Sequence, residues 1–112
     1  MCSNSTWFCG GERLHGLPLE ESELEALCAR EDRVGEVYRC ARQIIDEQGE
    51  LIKARFPDLN RCLTGYDLAH LREADKRFNL NSVLCGAEGS LGFVVEARLN
   101  VLPIPKHTML VN

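Results

Sequence analysis

Gly86-Ala87-Glu88-Gly89-Ser90-Leu91-Gly92, running into Phe93-Val94-Val95-Glu96-Ala97-Arg98-Leu99-Asn100-Val101-Leu102, is where the chain changes its period. From Gly92 to Leu102 the residues alternate. Phe93, Val95, Ala97, Leu99 and Val101 point one way; Val94, Glu96, Arg98, Asn100 and Leu102 point the other. Successive side chains of a strand take opposite faces, so this spacing predicts a strand with one buried and one mixed face. Pro103 and Pro105 break it, and His107 to Val111 can form a short final strand.

Upstream the period is helical. From Asp32 to Phe56, Val34, Val37, Tyr38, Ala41, Ile44, Ile45, Leu51 and Ile52 recur at steps of three and four, with Gln48 the polar exception. That spacing puts them on one stripe of a helix resting on its own sheet. Gly49 lowers the helix propensity, and Pro57 pushes the residue before it out of helical conformation, ending the segment. Before it, Ser22-x-x-Glu25 has the form of a capping box for a short helix carrying Leu24, Leu27 and Cys28. The acidic run of Glu20, Glu21, Glu23 and Glu25 suits the positive end of that helix dipole. At the start, Ser5 to Cys9 and Glu12 to His15 flank Gly10-Gly11, the pattern of a hairpin with a two-residue turn. The order β-β-α-α-(short helix)-β-β predicts an α+β domain, an antiparallel sheet with helices packed on one face.

At 112 residues the chain fits one compact unit. Its hydrophobic fraction of 45% and charged fraction of 27% are those of an ordinary globular protein. A net charge of -4, with acids and bases mixed along the chain, argues against a nucleic-acid surface. No apolar run approaches the ~20 residues of a membrane span. Met1 to Phe8 has neither the basic nor the hydrophobic stretch of a secretory signal, so a cytoplasmic location is expected. Six cysteines (Cys2, Cys9, Cys28, Cys40, Cys62 and Cys85) include no C-x-x-C pair, and His15, His70 and His107 do not fall at ligand spacing. Reduced thiols are therefore expected, without metal. A thiol enzyme would need a thiolate near a base, and Cys85, beside the glycine-rich loop, is the one position for it.

Three glycines in seven residues between two elements let a ligand approach the main chain, and exposed N–H groups there suit phosphate or a ring edge. A turn that ends a helix and starts a strand has the same composition. A resemblance goes further. Leu84-Cys85-Gly86-Ala87-Glu88-Gly89-Ser90-Leu91-Gly92-Phe93-Val94-Val95-Glu96-Ala97-Arg98-Leu99 resembles the G-S-E-G-T-L-G-hydrophobic-hydrophobic-T-E-A signature of FAD-linked oxidases of the vanillyl-alcohol oxidase/p-cresol methylhydroxylase type. Thr64-Gly65-Tyr66-Asp67-Leu68 resembles the T-G-Y-D-L that precedes it in D-2-hydroxyglutarate and D-lactate dehydrogenases and the glycolate oxidase flavin subunit. Ala87 stands for the usual Ser, Ser90 for the usual Thr, and the spacer from His70 to Val83 is longer than common. That spacer and the continuation to Val101 look most like bacterial FAD/iron–sulfur members of the D-2-hydroxyglutarate dehydrogenase group.

The resemblance implies a second FAD-binding subdomain in residues 1–112, with the first flavin subdomain and the C-terminal substrate cap lying outside them. It implies FAD as cofactor and a small 2-hydroxy acid as substrate of the full-length parent. Cofactor contacts fall on Gly86, Glu88, Gly89, Ser90, Leu91, Gly92, Phe93 and Val94. Gly89 and Gly92 would allow close backbone approach, Ser90 could bond a phosphate or ribose oxygen, and Glu88 would brace the loop. Tyr66-Asp67 either faces the flavin site or serves as a turn before a helix. No catalytic residue is assigned, and the isolated piece is expected to be inactive, to bind FAD weakly or not at all, and to self-associate through an uncovered apolar face. The rival reading is a non-catalytic domain of the same fold used for protein association.

Overall fold

The computed structural model describes residues 2–9, 11–57, 65–72, 75–106 and 109. β1 (Cys2–Cys9) and β2 (Glu12–Gly16) form the expected hairpin, antiparallel, with Cys9 opposite Glu12 and Ser5 opposite Gly16. Two helices follow, α1 (Glu21–Cys28) and α2 (Arg33–Arg55), then the short α3 (Asn81–Gly86) and β3 (Phe93–Leu99). β3 returns antiparallel to β1, giving a three-stranded sheet in the order β2-β1-β3. The fold is the predicted α+β arrangement with an antiparallel sheet. Of the final strand expected from His107 to Val111 only Met109 is among the described residues, and Thr64 of the T-G-Y-D-L motif lies outside them.

α2 starts and stops where its sequence says. Asp32 is the N-cap, its carboxylate accepting from the Gly35 amide at 3.0 Å, and Arg30 beside it holds that carboxyl below its usual range. Phe56, before Pro57, is extended with φ -82° and ψ 137°. At 100° per residue, Val34, Tyr38, Ala41, Ile45 and Ile52 fall within an arc of about 60°. All but the half-buried Ile45 are buried. Leu51 lies about 100° off that line and is exposed, and Gln48 is exposed as well.

The capping box of α1 sits two residues earlier than expected. Its N-cap is Glu20, whose amide donates to the Glu23 carboxylate at 2.9 Å, so Ser22 and Glu25 are inside the helix. A carboxylate at N-cap satisfies orphan amides as a hydroxyl does and adds a favourable charge at the dipole's positive end, so the Glu20/Glu23 pair competes well.

The core lies between the sheet and the helices: Trp7, Leu14, Leu24, Tyr38, Leu71, Phe78, Leu80 and Leu84. Residues 65–72 and 75–80, without regular structure of their own, close it from the side. Leu19 and Phe78 exchange backbone hydrogen bonds at 2.8 and 2.9 Å, and Phe78 packs its ring 6.1 Å from Tyr38. Glu21 ties this layer to the helices. It accepts from Arg72 at 2.7 Å and forms an ion pair with Arg42 at 3.2 Å, and the Arg72 hydrogen bond holds its carboxyl below the usual range.

Tyr38 donates its hydroxyl to the His15 carbonyl at 3.1 Å, and burial pushes its phenol up to about 12. The unfolded chain ionises this group near about 10, so stability should be intact below pH 10 and fall as pH rises towards 12. The loss should approach about 2–3 kcal/mol at the top of that window. Urea denaturation at intervals from pH 9 to 12 measures it. Tyr38→Phe should flatten the profile across the window while lowering stability by about 1 kcal/mol at neutral pH.

β3 differs from its expectation. Both faces are exposed, with Phe93 74% and Leu99 60% accessible, where one buried face was predicted. Two physical causes act together. The helical layer packs on β1 and β2, while β3 is held to the fold chiefly through its ladder with β1. In addition, Glu96 pairs with Thr6 and Val94 with Trp7, so Val95 is the extra residue of a β-bulge. A bulge resets the alternation. Val94 and Ala97 therefore share the side of buried Trp7 and Ser5, and Phe93 and Glu96 share the side of Phe8 and Thr6.

Candidate functional site

The glycine-rich loop is positioned by α3, and α3 is fastened to the sheet by a buried polar chain. The Trp7 indole N–H donates to Ser5 Oγ, the Ser5 hydroxyl donates to Asn81 Oδ1, and Asn81 Nδ2 donates to the Gly16 carbonyl. Ser5 and Asn81 are both buried, and Gly16 must lack a Cβ because one would overlap the Asn81 amide. Asn79 completes the helix start: its Oδ1 accepts from the Asn81 amide at 3.0 Å and its carbonyl accepts from the Ser82 hydroxyl at 3.1 Å. Val83 and Leu84 turn into the core.

α3 ends where its last glycine meets the other motif. A Cβ on Gly86 would overlap the Gly65 carbonyl oxygen and lie 2.8 Å from the Gly65 carbonyl carbon. Two backbones therefore cross here at a distance only glycine allows, and Gly65 itself takes φ +93°. The chain then reverses. Ala87 is buried, Glu88 takes φ 49°, Gly89 takes φ +82°, and the Ser90 amide donates to the Ala87 carbonyl at 2.9 Å. Glu88 is a non-glycine in the left-handed region, a conformation that persists where surrounding contacts over-determine it.

A second contact locks the two motifs. The Ser90 hydroxyl donates to the Ala87 carbonyl at 2.6 Å, which leaves its lone pairs to accept from the Tyr66 hydroxyl at 2.8 Å. Gly65, Tyr66, Gly86, Ala87, Glu88 and Ser90 line one shallow cleft. Behind the loop an apolar groove of about 440 Å³ runs along α2, lined by Val37, Ala41, Leu71, Leu80 and Leu84 together with Ser90 and Leu91.

Of the residues assigned to cofactor contact, Gly86, Glu88 and Ser90 come together in the cleft. Gly89 is open on its outer side, with nothing within 4 Å of a Cβ built there. Leu91, Phe93 and Val94 are exposed on the run into β3, and Gly92 is half-buried. Two expected roles shift. Glu88 is exposed, and its contribution is the left-handed turn of its backbone. Ser90 has its proton committed to Ala87 and its oxygen to Tyr66, so it joins the two motifs before it meets any ligand.

Tyr66 thus belongs to the site, half exposed beside Ser90, while Asp67 points inward. The Asp67 carboxylate is fully buried and bonds His70 Nδ1 at 2.8 and 2.9 Å. The sequence weighed Tyr66 and Asp67 as a pair; alternation along the motif is what separates them. Asn81 escaped the sequence reading altogether, and the available signal was Asn79-Leu80-Asn81, two helix-starting amides before a short apolar run.

Backbone amides, two hydroxyls and an apolar groove are the chemistry with which a surface can hold and orient a ligand. Among the described residues no group of three or more His, Cys, Asp or Glu is placed to hold a metal, and Cys28 and Cys40 are free thiols. No described helix is long and apolar enough to cross a membrane.

No family model and no solved structure matches the chain. Curated proteins do. The chain is 71% identical over 103 residues to D-2-hydroxyglutarate dehydrogenase of Pseudomonas putida, a match covering 92% of this chain and 10% of that protein. It is 42% identical over 104 residues to the protein of the same name from Pantoea ananatis and 40% over 104 residues to that of Escherichia coli, again covering 92% of this chain and 10% of each. The chain spans about a tenth of the length of the curated relatives it matches. The group suggested by the two motifs is the one whose name these homologues carry.

Proposed function

We propose that this chain is part of a flavin-binding domain, the second FAD-binding subdomain, in a larger oxidoreductase acting on a 2-hydroxy acid of the D-2-hydroxyglutarate kind. The observation that carries the reading is the junction of the two motifs: Gly65 against Gly86 and Tyr66 bonded to Ser90. These motifs, far apart in sequence, build one cleft from the segments that resemble flavin oxidases, and the homologues are dehydrogenases by name.

The residues present fit such a cofactor. A left-handed turn at Glu88-Gly89 exposes main chain, Gly89 has open space where a side chain would otherwise stand, and the apolar groove starts at Leu91. Gly86, Glu88, Gly89, Ser90, Leu91, Gly92, Phe93 and Val94 would hold the cofactor, with Tyr66 keeping Ser90 in place. Bound FAD would accept the hydride of the hydroxy acid's C–H bond, and the protein would orient it and exclude water. The remaining nine tenths of such a protein would supply the rest of the cofactor's contacts and the groups that handle substrate.

A chimera tests the reading. Residues 1–112 replace the matching segment of the Pseudomonas putida relative, and flavin absorbance and D-2-hydroxyglutarate oxidation are measured. Retention of both is expected. In the same chimera Gly89→Val should lose the flavin while the protein stays folded by circular dichroism. The substitution meets open space within the chain and adds only left-handed strain of about 1–2 kcal/mol. A folded chimera without flavin, or a Gly89→Val variant with normal flavin content, would overturn the assignment.

A further inference from the structure

The two hydroxyls at the motif junction have a direction. A serine hydroxyl carries one proton, and that of Ser90 goes to the Ala87 carbonyl at 2.6 Å, since a carbonyl only accepts. The 2.8 Å bond with Tyr66 therefore runs from the phenol to Ser90 Oγ. Both protons are used within the chain, while Tyr66 Oη keeps its lone pairs. The half-exposed Tyr66 thus meets a ligand in the cleft as a hydrogen-bond acceptor.

The rest of the cleft selects what that acceptor takes. Its lining of Gly65, Tyr66, Gly86, Ala87, Glu88 and Ser90 holds one carboxylate and, among the described residues, no lysine or arginine. A phosphate there would face lone pairs and a negative side chain with no cation to offset them. Main-chain donors stand beside the acceptor. Ala87 is right-handed and Glu88 left-handed, the order that turns successive backbone N–H groups to one side. Such a concavity by itself suits an anion; next to a phenol oxygen and a carboxylate it suits a carbonyl oxygen that flanks an N–H. We propose that Tyr66 Oη accepts from a ring N–H lying between two carbonyls, the imide group of a flavin's pyrimidine ring, so that this cleft takes the ring edge of the cofactor and not its phosphates. This rests on the flavin reading above and adds the part of the cofactor that the cleft recognises. Tyr66 is then a binding residue in its own right as well as the support of Ser90.

Two cofactors separate this contact from a supporting role. The Pseudomonas putida chimera is stripped of flavin and titrated with FAD, or with FAD methylated at the imide nitrogen, binding being read from the change in flavin fluorescence. With FAD, Tyr66→Phe should raise the dissociation constant by about tenfold, because the ring N–H loses its acceptor. The methylated cofactor has no proton to give there, so the parent chimera and Tyr66→Phe should bind it equally. Ser90→Ala removes no acceptor of that N–H and should weaken both cofactors by the same factor. Phenylalanine keeps the ring of Tyr66, so the fold is retained, which circular dichroism confirms for both variants. A Tyr66→Phe penalty that is absent with FAD, or equal for the two cofactors, overturns the proposal. So does a penalty that depends on the methyl group at Ser90 and not at Tyr66. A parent chimera that takes up no flavin overturns the flavin reading and this contact with it, whereas FAD binding with penalties indifferent to the methyl group leaves that reading standing and removes the imide contact alone.

Discussion

Gly86→Ala is expected to destabilise the protein by about 2–3 kcal/mol, the magnitude of a forced overpacking in a site that cannot yield. The sign is the informative part. In a helix, Gly to Ala ordinarily adds stability, because alanine loses less backbone freedom on folding. Gly49, inside α2, shows what that looks like: nothing lies within 4 Å of a Cβ built there, so Gly49→Ala should stabilise by about 0.5–1 kcal/mol. At Gly86 the same methyl group would overlap the main-chain oxygen of Gly65, which cannot rotate aside as a side chain would. Relief requires residues 65–68 to part from the end of α3, and with them goes the 2.8 Å bond from Tyr66 to Ser90. Chemical denaturation of the two variants side by side measures the contrast. In the Pseudomonas putida chimera Gly86→Ala should also lower flavin content. Equal effects of the two alanines would show that the motif junction is not the tight crossing described here.

Some of this architecture was legible in the sequence for reasons that can be named. α2 was legible because its signals agree: a stripe of period 3.6 and a terminating proline describe one helix, which runs from Arg33 to Arg55. The hairpin was legible because a two-residue Gly-Gly turn fixes its own register. The cap of α1 was misplaced because four glutamates offer overlapping boxes, and only packing of Leu24 decides which register wins. β3 was found and its faces were not. Alternation in sequence assumes an unbroken ladder, and the bulge at Val95 depends on how β1 meets it, information held some ninety residues away. The site itself was half legible. The loop between Gly86 and Gly92 announces itself by composition, whereas its contact with Gly65 and Tyr66 is tertiary and leaves no local pattern.

Asn81 shows the same limit with a larger energetic consequence. Asn81→Ala is expected to cost about 3 kcal/mol, because it strands two buried partners at once: the Gly16 carbonyl loses its donor and the Ser5 hydroxyl its acceptor. Each buried group left unsatisfied costs about 1–3 kcal/mol, and a small cavity adds to that. The effect should be strongly non-additive with Ser5→Ala. Once Asn81 is gone, removing the Ser5 hydroxyl takes away one of the stranded groups, so the double variant should be more stable than the sum of the two losses implies. Asn81→Asp separates the two halves of the amide. It keeps the oxygen that accepts from Ser5 and replaces the nitrogen that donates to Gly16. Protonated, the new carboxyl can donate to that carbonyl; ionised, it is a buried charge aimed at a carbonyl oxygen. Its folded-state pKa should therefore lie above the unfolded value of about 3.9, so stability is greatest below that pH and falls as pH rises through the two values. Denaturation of Asn81→Asp at pH 3.5 and pH 7, referred to the parent at each pH, measures this. A destabilisation that is the same at both pH values would mean that Asn81 is not the buried link between α3, β1 and β2.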